Sequence, residues 1–285
     1  MKHYTISVNE IELQKLNKVY QYHQIEDVNP YLLFHAEHNG IDILGYKTGK
    51  VLLQGVEVTH ELVSIKSHLN REDYEAIGSD EVGTGDVFGP IVVCALYASV
   101  SDITYLESLN VRDSKNMNDK AIIAIAPKIA KKLVHSLLIL PPRKYNELVA
   151  KGYNLNKIKA LLHNQAIIKT SSKLKTPVAV IIDQFCTPQL YFNYIKDETL
   201  IYRDIDFHVR AEQIHLSVAA ASIIARYAFL VKMDEYSKKI GTKLHKGASK
   251  EVDEMVKNIY DAKGLKTLSL IAKMNFKNVT KQNFL

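Results

Sequence analysis

The 285 residues carry 47% hydrophobic and 24% charged side chains, the proportions of a folded globular chain and not of a disordered one. Two cysteines, Cys94 and Cys186, exclude a disulfide scaffold and a cysteine-held zinc, and they suit a reducing, cytoplasmic compartment. The formal charge of +6 is uneven: residues 1–70 hold 6 Lys against 8 Asp or Glu, and the other 31 basic and 23 acidic residues leave +8 on the longer segment, which suits a polyanionic partner or simply a soluble basic protein.

Residues 1–66 read as a small α+β unit. Glu10 to His23 places Ile11, Leu13, Leu16, Val19 and Tyr20 at helical spacing, and Asn29–Pro30 breaks the chain. Tyr31–Ala36, Ile41–Tyr46 and Lys50–Gln54 read as strands, separated at Asn39–Gly40 and Thr48–Gly49 by hairpin signals. The polar stretch 67–76 reads as a linker, and 77–285 as a second, larger domain.

The larger segment alternates strand and helix signals. Ile77–Glu81 and Gly89–Ala98 read as strands joined by a glycine-rich turn. Asp119–Lys132 reads as a helix and Leu133–Leu140 as a strand ended by Pro141–Pro142. Asn154–Thr170 is a second helix, Val178–Ile182 a buried central strand, Phe207–Ala211 a short strand, and His215–Lys238 a long helix with an alanine-rich start. A further helix begins at Lys250 with Ser249 as its cap. Such alternation predicts a mixed α/β layer fold. The longest apolar runs, Gly89–Val100 and Val178–Ile182, fall short of the ~20 residues that span a bilayer. No charged-then-apolar leader opens the sequence, so neither a membrane span nor a secretory signal is expected.

The chemistry concentrates in Gly78-Ser-Asp-Glu-Val-Gly-Thr-Gly-Asp-Val-Phe-Gly89-Pro90. Asp80 and Glu81 end an apolar strand, where carboxylates can hold a hard cation, and the glycines let backbone approach a ligand. Neighbouring residues of a regular strand face opposite ways, so both acids serve one site only if the strand bends or ends there. Asp183 follows a fully apolar strand, where a carboxylate is costly unless solvated, paired or metal-bound. Glu212 precedes the long helix, where an acid can equally well complement the helix dipole. Four converging acids would carry −4, which two Mg²⁺ would balance. Two ions about 3.5–4 Å apart make a phosphodiester-hydrolysing site that needs no side-chain nucleophile. Arg112-Asp-Ser-Lys115, Lys243-Leu-His-Lys-Gly247 and the helix carrying Lys159, His163 and Asn164 offer phosphate contacts, although such groups more often lie on a solvated face.

These residues resemble a known family. The 78–90 stretch is similar to the signature of bacterial ribonuclease HIII, a type 2 ribonuclease H. Asp113-Ser-Lys115, Tyr153-Asn-Leu-Asn156, Leu162-His-Asn-Gln165, Ile182-Asp-Gln-Phe185, Ala219-Ala-Ala-Ser-Ile-Ile-Ala-Arg226 and His245-Lys-Gly247 match further motifs in order. Residues 1–66, best at Lys50-Val-Leu-Leu-Gln-Gly55, resemble the TATA-binding-protein-like domain of that family. The resemblance implies a ribonuclease H-like catalytic domain at 77–285. It implies hydrolysis of the RNA strand of RNA–DNA hybrids, leaving 5′-phosphate and 3′-hydroxyl ends, with Mg²⁺ (Mn²⁺ as substitute) and two ions when substrate is bound. It implies Asp80, Glu81, Asp183 and Glu212 as catalytic metal ligands, with Asp204 and Asp206 as competitors for the fourth place. Gly83, Thr84, Gly85, Ser114, Lys115, Asn164 and Lys246 are the implied substrate contacts. Thr84 stands where ribonuclease HII has Arg, which speaks against efficient incision at a lone ribonucleotide. Neither a membrane nor an obligate protein partner is implied.

Overall fold

A computed structural model describes residues 2–56, 58–70, 74–111 and 117–284. Contacts divide the chain into two compact units, Met1–Asp73 and Tyr74–Leu285.

In the first unit the order is β1 (Lys2–Ser7), α1 (Glu10–Val19), β2 (Leu32–His38), β3 (Ile41–Tyr46), β4 (Lys50–Gly55) and α2 (Thr59–His68). Among the described residues the strands form one antiparallel sheet, ordered β1-β4-β3-β2. The β2–β3 turn works because Asn39 and Gly40 both take positive φ, 53° and 71°, as a tight hairpin turn demands. Burial alternates strictly along β3, so one face of the sheet carries Ile43 and its neighbours into a core with Leu13, Leu16, Phe34, Leu53 and Ile65. Asn9 and Glu12 cap α1 reciprocally. The sequence reading lacked β1 and α2. Ser67 and His68, read as the start of a linker, instead close α2.

The second unit runs β5 (Ala76–Val82), β6 (Ile91–Ala98), α3 (Val100–Ser108), α4 (Asp119–Lys132), β7 (His135–Leu140), α5 (Pro142–Ala150), α6 (Leu155–Ser171), β8 (Ala179–Asp183), α7 (Pro188–Tyr194), β9 (Asp206–His208), α8 (Ala211–Ile214), α9 (Leu216–Ile240), α10 (Lys250–Ile271) and α11 (Lys277–Thr280). Its described strands form a mixed sheet ordered β7-β6-β5-β8-β9. β5, β6 and β7 are antiparallel neighbours, and β5, β8 and β9 parallel ones. The fold class is mixed α/β, as the alternation predicts. Pro142 does not merely end a strand; it opens α5, where its missing N–H costs nothing.

The period of two along β6 decides which helix covers which face. Val92, Cys94 and Leu96 pack with the alanines of α9, whereas Val93 and Ala95 pack with Ala160, Ala166 and Ile167 of α6. Gly78 marks the closest approach of sheet to helix: a Cβ there would lie 2.2 Å from the Val218 amide nitrogen. α9 is long and apolar enough by length and composition to cross a bilayer, contrary to the expectation from uninterrupted apolar runs, but most of it is buried inside this unit. α10 is two helical stretches broken at Gly264, whose φ is 75°.

Candidate active site

Strand geometry brings the acids together. On β5, Ser79 and Glu81 face α6, while Gly78 and Asp80 face α9. β8 pairs with β5 in parallel up to Ser79–Ile182, so Asp183 falls one step further, level with Asp80. β9 pairs with β8 as far as Asp183–His208. The chain then turns back through Arg210, a non-glycine residue in the left-handed conformation (φ 59°), and Asp183 Oδ1 accepts the Ala211 N–H at 2.9 Å. That turn carries Glu212 inward, where it is 4% exposed. Asp80, Glu81, Asp183 and Glu212 line one pocket of about 350 Å³, which they share with Ser222, Arg226 and two isoleucines. Asp204 and Asp206, the competitors for the fourth place, are exposed and outside the pocket lining.

The two adjacent acids are treated oppositely. Burial, then the charges of Glu81 and Asp183, push Asp80 up to about 8; hydrogen bonds from Ser222 and the Glu81 N–H only partly oppose this. Burial also works to raise Glu81, but His163 and Lys159 outweigh it and hold the carboxyl below its ordinary range. Lys159 Nζ lies 2.5 Å from Glu81 Oε1, and His163 Nε2 lies 2.8 Å from Oε2. The expectation of a solvated face for this helix therefore fails. Lys159 and His163 sit one turn apart on the buried side of α6.

The donor set fits a hard divalent cation. Four carboxylates could supply oxygen ligands, and the upward push on Asp80 by burial and by its acidic neighbours is what a bound cation would offset. As arranged here, no group of three or more His, Cys, Asp or Glu among the described residues is drawn close enough to hold a metal ion.

The glycine-rich loop is pinned from behind. Gly247 N–H donates to Asp86 Oδ1 at 2.6 Å, and Val87 N–H to the Gly247 carbonyl at 3.0 Å. Lys273, wholly buried, donates to the carbonyls of Asp86 and Gly89 at 2.7 and 2.8 Å, and burial pushes its ammonium down to about 7. Nothing in the sequence flags Lys273; its signal would be a lone lysine among Ile271, Ala272 and Met274.

The expected substrate contacts separate into three groups. Gly85 and Thr84 remain accessible: Gly85 is exposed, with nothing within 4 Å of a Cβ placed there. Lys246 is half-exposed and, with Arg226, shares Asp119 (2.6 and 2.7 Å), whose carboxyl they hold below the ordinary range, Lys246 foremost. Asn164 is a correction, and Gly83 is buried. At its φ of 94° a Cβ would lie 2.1 Å from the Pro90 carbonyl, so only glycine fits this turn. Asn164 is 3% exposed and is used up on the Leu200 carbonyl and the Tyr202 N–H. Ser114 and Lys115 lie outside the described residues.

Comparison with known proteins gives the family and the fold. A family model described as Ribonuclease HII matches residues 77–279, and one described as a domain of unknown function matches residues 3–71. The chain is 49% identical over 284 residues to Ribonuclease HIII of Phytoplasma mali (strain AT), covering 99% of each. It is 41% identical over 292 residues to Ribonuclease HIII of Bacillus pumilus (strain SAFR-032), covering 95% of each. It is similar to the crystal structure of Bst-RNase HIII in complex with Mn²⁺, with a TM-score of 0.76 and 37% identity over 98% of this chain and 97% of that one.

Proposed function

The chain belongs to the ribonuclease HIII family and is a ribonuclease H enzyme; from that premise we propose that it cleaves the RNA strand of RNA–DNA hybrids at the pocket lined by Asp80, Glu81, Asp183 and Glu212. The observation that carries the reading is the arrival of four carboxylates, from the neighbouring parallel strands β5 and β8 and from α8, in one pocket, with Gly85 accessible on the glycine-rich loop. The four acids would hold two Mg²⁺, or Mn²⁺ in its place, and when bound these supply Lewis-acid polarisation of the phosphate and of the attacking water.

The chain's own groups do the rest. Arg226 lines the pocket and Lys246 lies beyond Asp119, so the pair can neutralise the phosphates flanking the scissile bond. The open backbone around Thr84 and Gly85 can offer amides and carbonyls to a ribose 2′-hydroxyl, which both donates and accepts. Water oxygen adds to phosphorus in line with the P–O3′ bond. That bond breaks and O3′ takes up a proton, leaving 5′-phosphate and 3′-hydroxyl ends. In the N-terminal unit, Thr5, Leu52, Leu44 and His35 fall in one row across the open sheet face, a surface for shape and sugar contacts with the hybrid, since Asp27 and Asp42 on either side of His35 disfavour phosphate.

A labelled RNA–DNA hybrid, a duplex with one ribonucleotide and an all-DNA duplex, each with Mg²⁺, Mn²⁺ or EDTA, test this reading. Metal-dependent cutting of the hybrid alone supports it. Binding without turnover would refute it, and equal cutting at a lone ribonucleotide would move the enzyme to the ribonuclease HII mode.

A further inference from the structure

We propose that Lys159 and His163 are positioning residues that fix the carboxylate plane of Glu81 and, through the charge of Lys159, weaken the pocket's grip on divalent cations; this rests on Glu81 being one of the pocket's metal ligands. Both Glu81 oxygens are engaged, Oε1 by Lys159 Nζ at 2.5 Å and Oε2 by His163 Nε2 at 2.8 Å. A carboxylate has about four lone-pair directions, so two remain, and their directions are set by α6 and not by side-chain rotation.

The clamp is itself held. Ser79 Oγ lies 2.8 Å from His163 Nδ1 and 3.1 Å from the Cys94 carbonyl, so one serine holds the far side of the imidazole. Phe185 stacks on the imidazole, with centroids 5.4 Å apart, and has Lys159 Nζ 4.0 Å from the centre of its face. Because Phe185 lies two residues beyond Asp183, one aromatic ring ties the clamp on the first strand's acid to the end of the second strand. Lys159, His163 and Glu81 have side-chain exposures of 9%, 0% and 11%, so water cannot substitute for either partner.

Stability does not explain such an arrangement. Taking a lysine and a carboxylate out of water costs about as much as their attraction returns, and an apolar pair of similar volume is often as stable. One cation would also suffice to balance one carboxylate. Two donors, one on each oxygen, do what one cannot: they fix orientation. The cation on α6 also lowers the net negative charge beside the pocket, so a divalent cation is held less tightly than four bare carboxylates would hold it.

The two effects give opposite signs in one variant. Lys159→Met in the full chain is expected to lower kcat on the hybrid about tenfold to hundredfold, the usual cost of losing a partner behind a metal ligand, with KM within about threefold. In the same variant Mn²⁺, titrated without substrate and followed by its free-ion paramagnetic resonance signal, is expected to bind about threefold or more tighter, because a nearby positive charge is gone. Lys159→Arg should restore Mn²⁺ affinity and part of kcat. If Lys159→Met does not fold, Lys159→Gln removes the same charge and serves in its place. Unchanged kcat, or Mn²⁺ affinity unchanged or weakened, overturns the proposal, since a lysine that only props the fold would weaken both. Full turnover in Glu81→Gln would instead overturn the assignment of Glu81 to the site.

Discussion

Asp80→Asn should make the metal-free protein more stable, by an amount that grows with pH. In the folded chain burial and the charges of Glu81 and Asp183 push the Asp80 carboxyl from an ordinary 3.8 to about 8. The folded chain therefore keeps a proton that the unfolded chain releases near pH 3.8. This contribution is fully present below that pH and is lost as pH rises toward about 8. Each unit of separation corresponds to about 1.4 kcal/mol, so four units set a ceiling of about 6 kcal/mol on the loss. Access of water through the pocket mouth relieves part of it, and about 1–2 kcal/mol is expected near neutral pH. The asparagine loses little in return: its Oδ1 still accepts the Glu81 N–H, the bond Asp80 makes at 2.7 Å. For a unit of this size the gain is a rise of about 3–6 °C in Tm. The assay is thermal unfolding in EDTA between about pH 5 and pH 8. A difference between variant and wild type that stays flat or shrinks as pH rises would refute the reasoning. Added Mn²⁺ should raise the wild-type Tm more than the variant's.

Gly83→Ala should lower stability whatever the substrate, because its Cβ would meet the Pro90 carbonyl at positive φ, whereas Gly85→Ala should leave Tm unchanged and raise KM for the hybrid; paired melts and kinetics separate the two, and a Tm loss at Gly85 would contradict the open geometry. Glu212→Gln should cut kcat by about two orders of magnitude or more with hybrid affinity kept, and Asp206→Asn should leave both unchanged; the reverse pattern would move the fourth ligand. A chain beginning at Tyr74 should keep all four acids and metal-dependent cleavage but bind hybrid more weakly, with a salt slope shallower by roughly 0.7–0.9 per lost phosphate contact. Equal slopes for both chains would assign the N-terminal unit another task.

Asp80 and Glu81 were legible because an acid pair closing an apolar strand beside three glycines has few structural uses, and Asp183 because it ends a strand with no polar residue to share its burial. Glu212 was only half legible. Its placement depends on the left-handed turn at Arg210, and nothing in Arg-Ala-Glu announces that turn. Asn164 was misread for a related reason: spacing reveals that a polar residue sits on a helix, not whether backbone two segments away will absorb it, as Leu200 and Tyr202 do. Lys159 and His163 carried a usable signal, two polar residues four apart among Ile158, Ala160, Ala166 and Ile167, but the partner they bury against lies on another element. In the first unit β1 carried a signal, Tyr4, Ile6 and Val8 alternating with polar residues, that the reading passed over, whereas the apolar residues of α2 form no clear stripe.

The adjacent acids pose a problem that the strand alone cannot solve. Alternation sends Asp80 toward α9 and Glu81 toward α6, and an acid buried on either face would be costly. The fold answers differently on each side. Toward α6 it supplies two fixed donors, so Glu81 stays ionised and immobile before any ligand arrives. Toward α9 it supplies only the Ser222 hydroxyl and a backbone amide, too little to hold a charge, so Asp80 keeps its proton. Exchanging the two environments would fail on both counts. A lysine on Asp80 would place positive charge in the centre of the pocket, and a protonated Glu81 would lose the attraction that orients it. Both acids line the pocket, but only Glu81 has a protein cation at hydrogen-bond distance, so a divalent ion has most to gain by displacing the proton from Asp80.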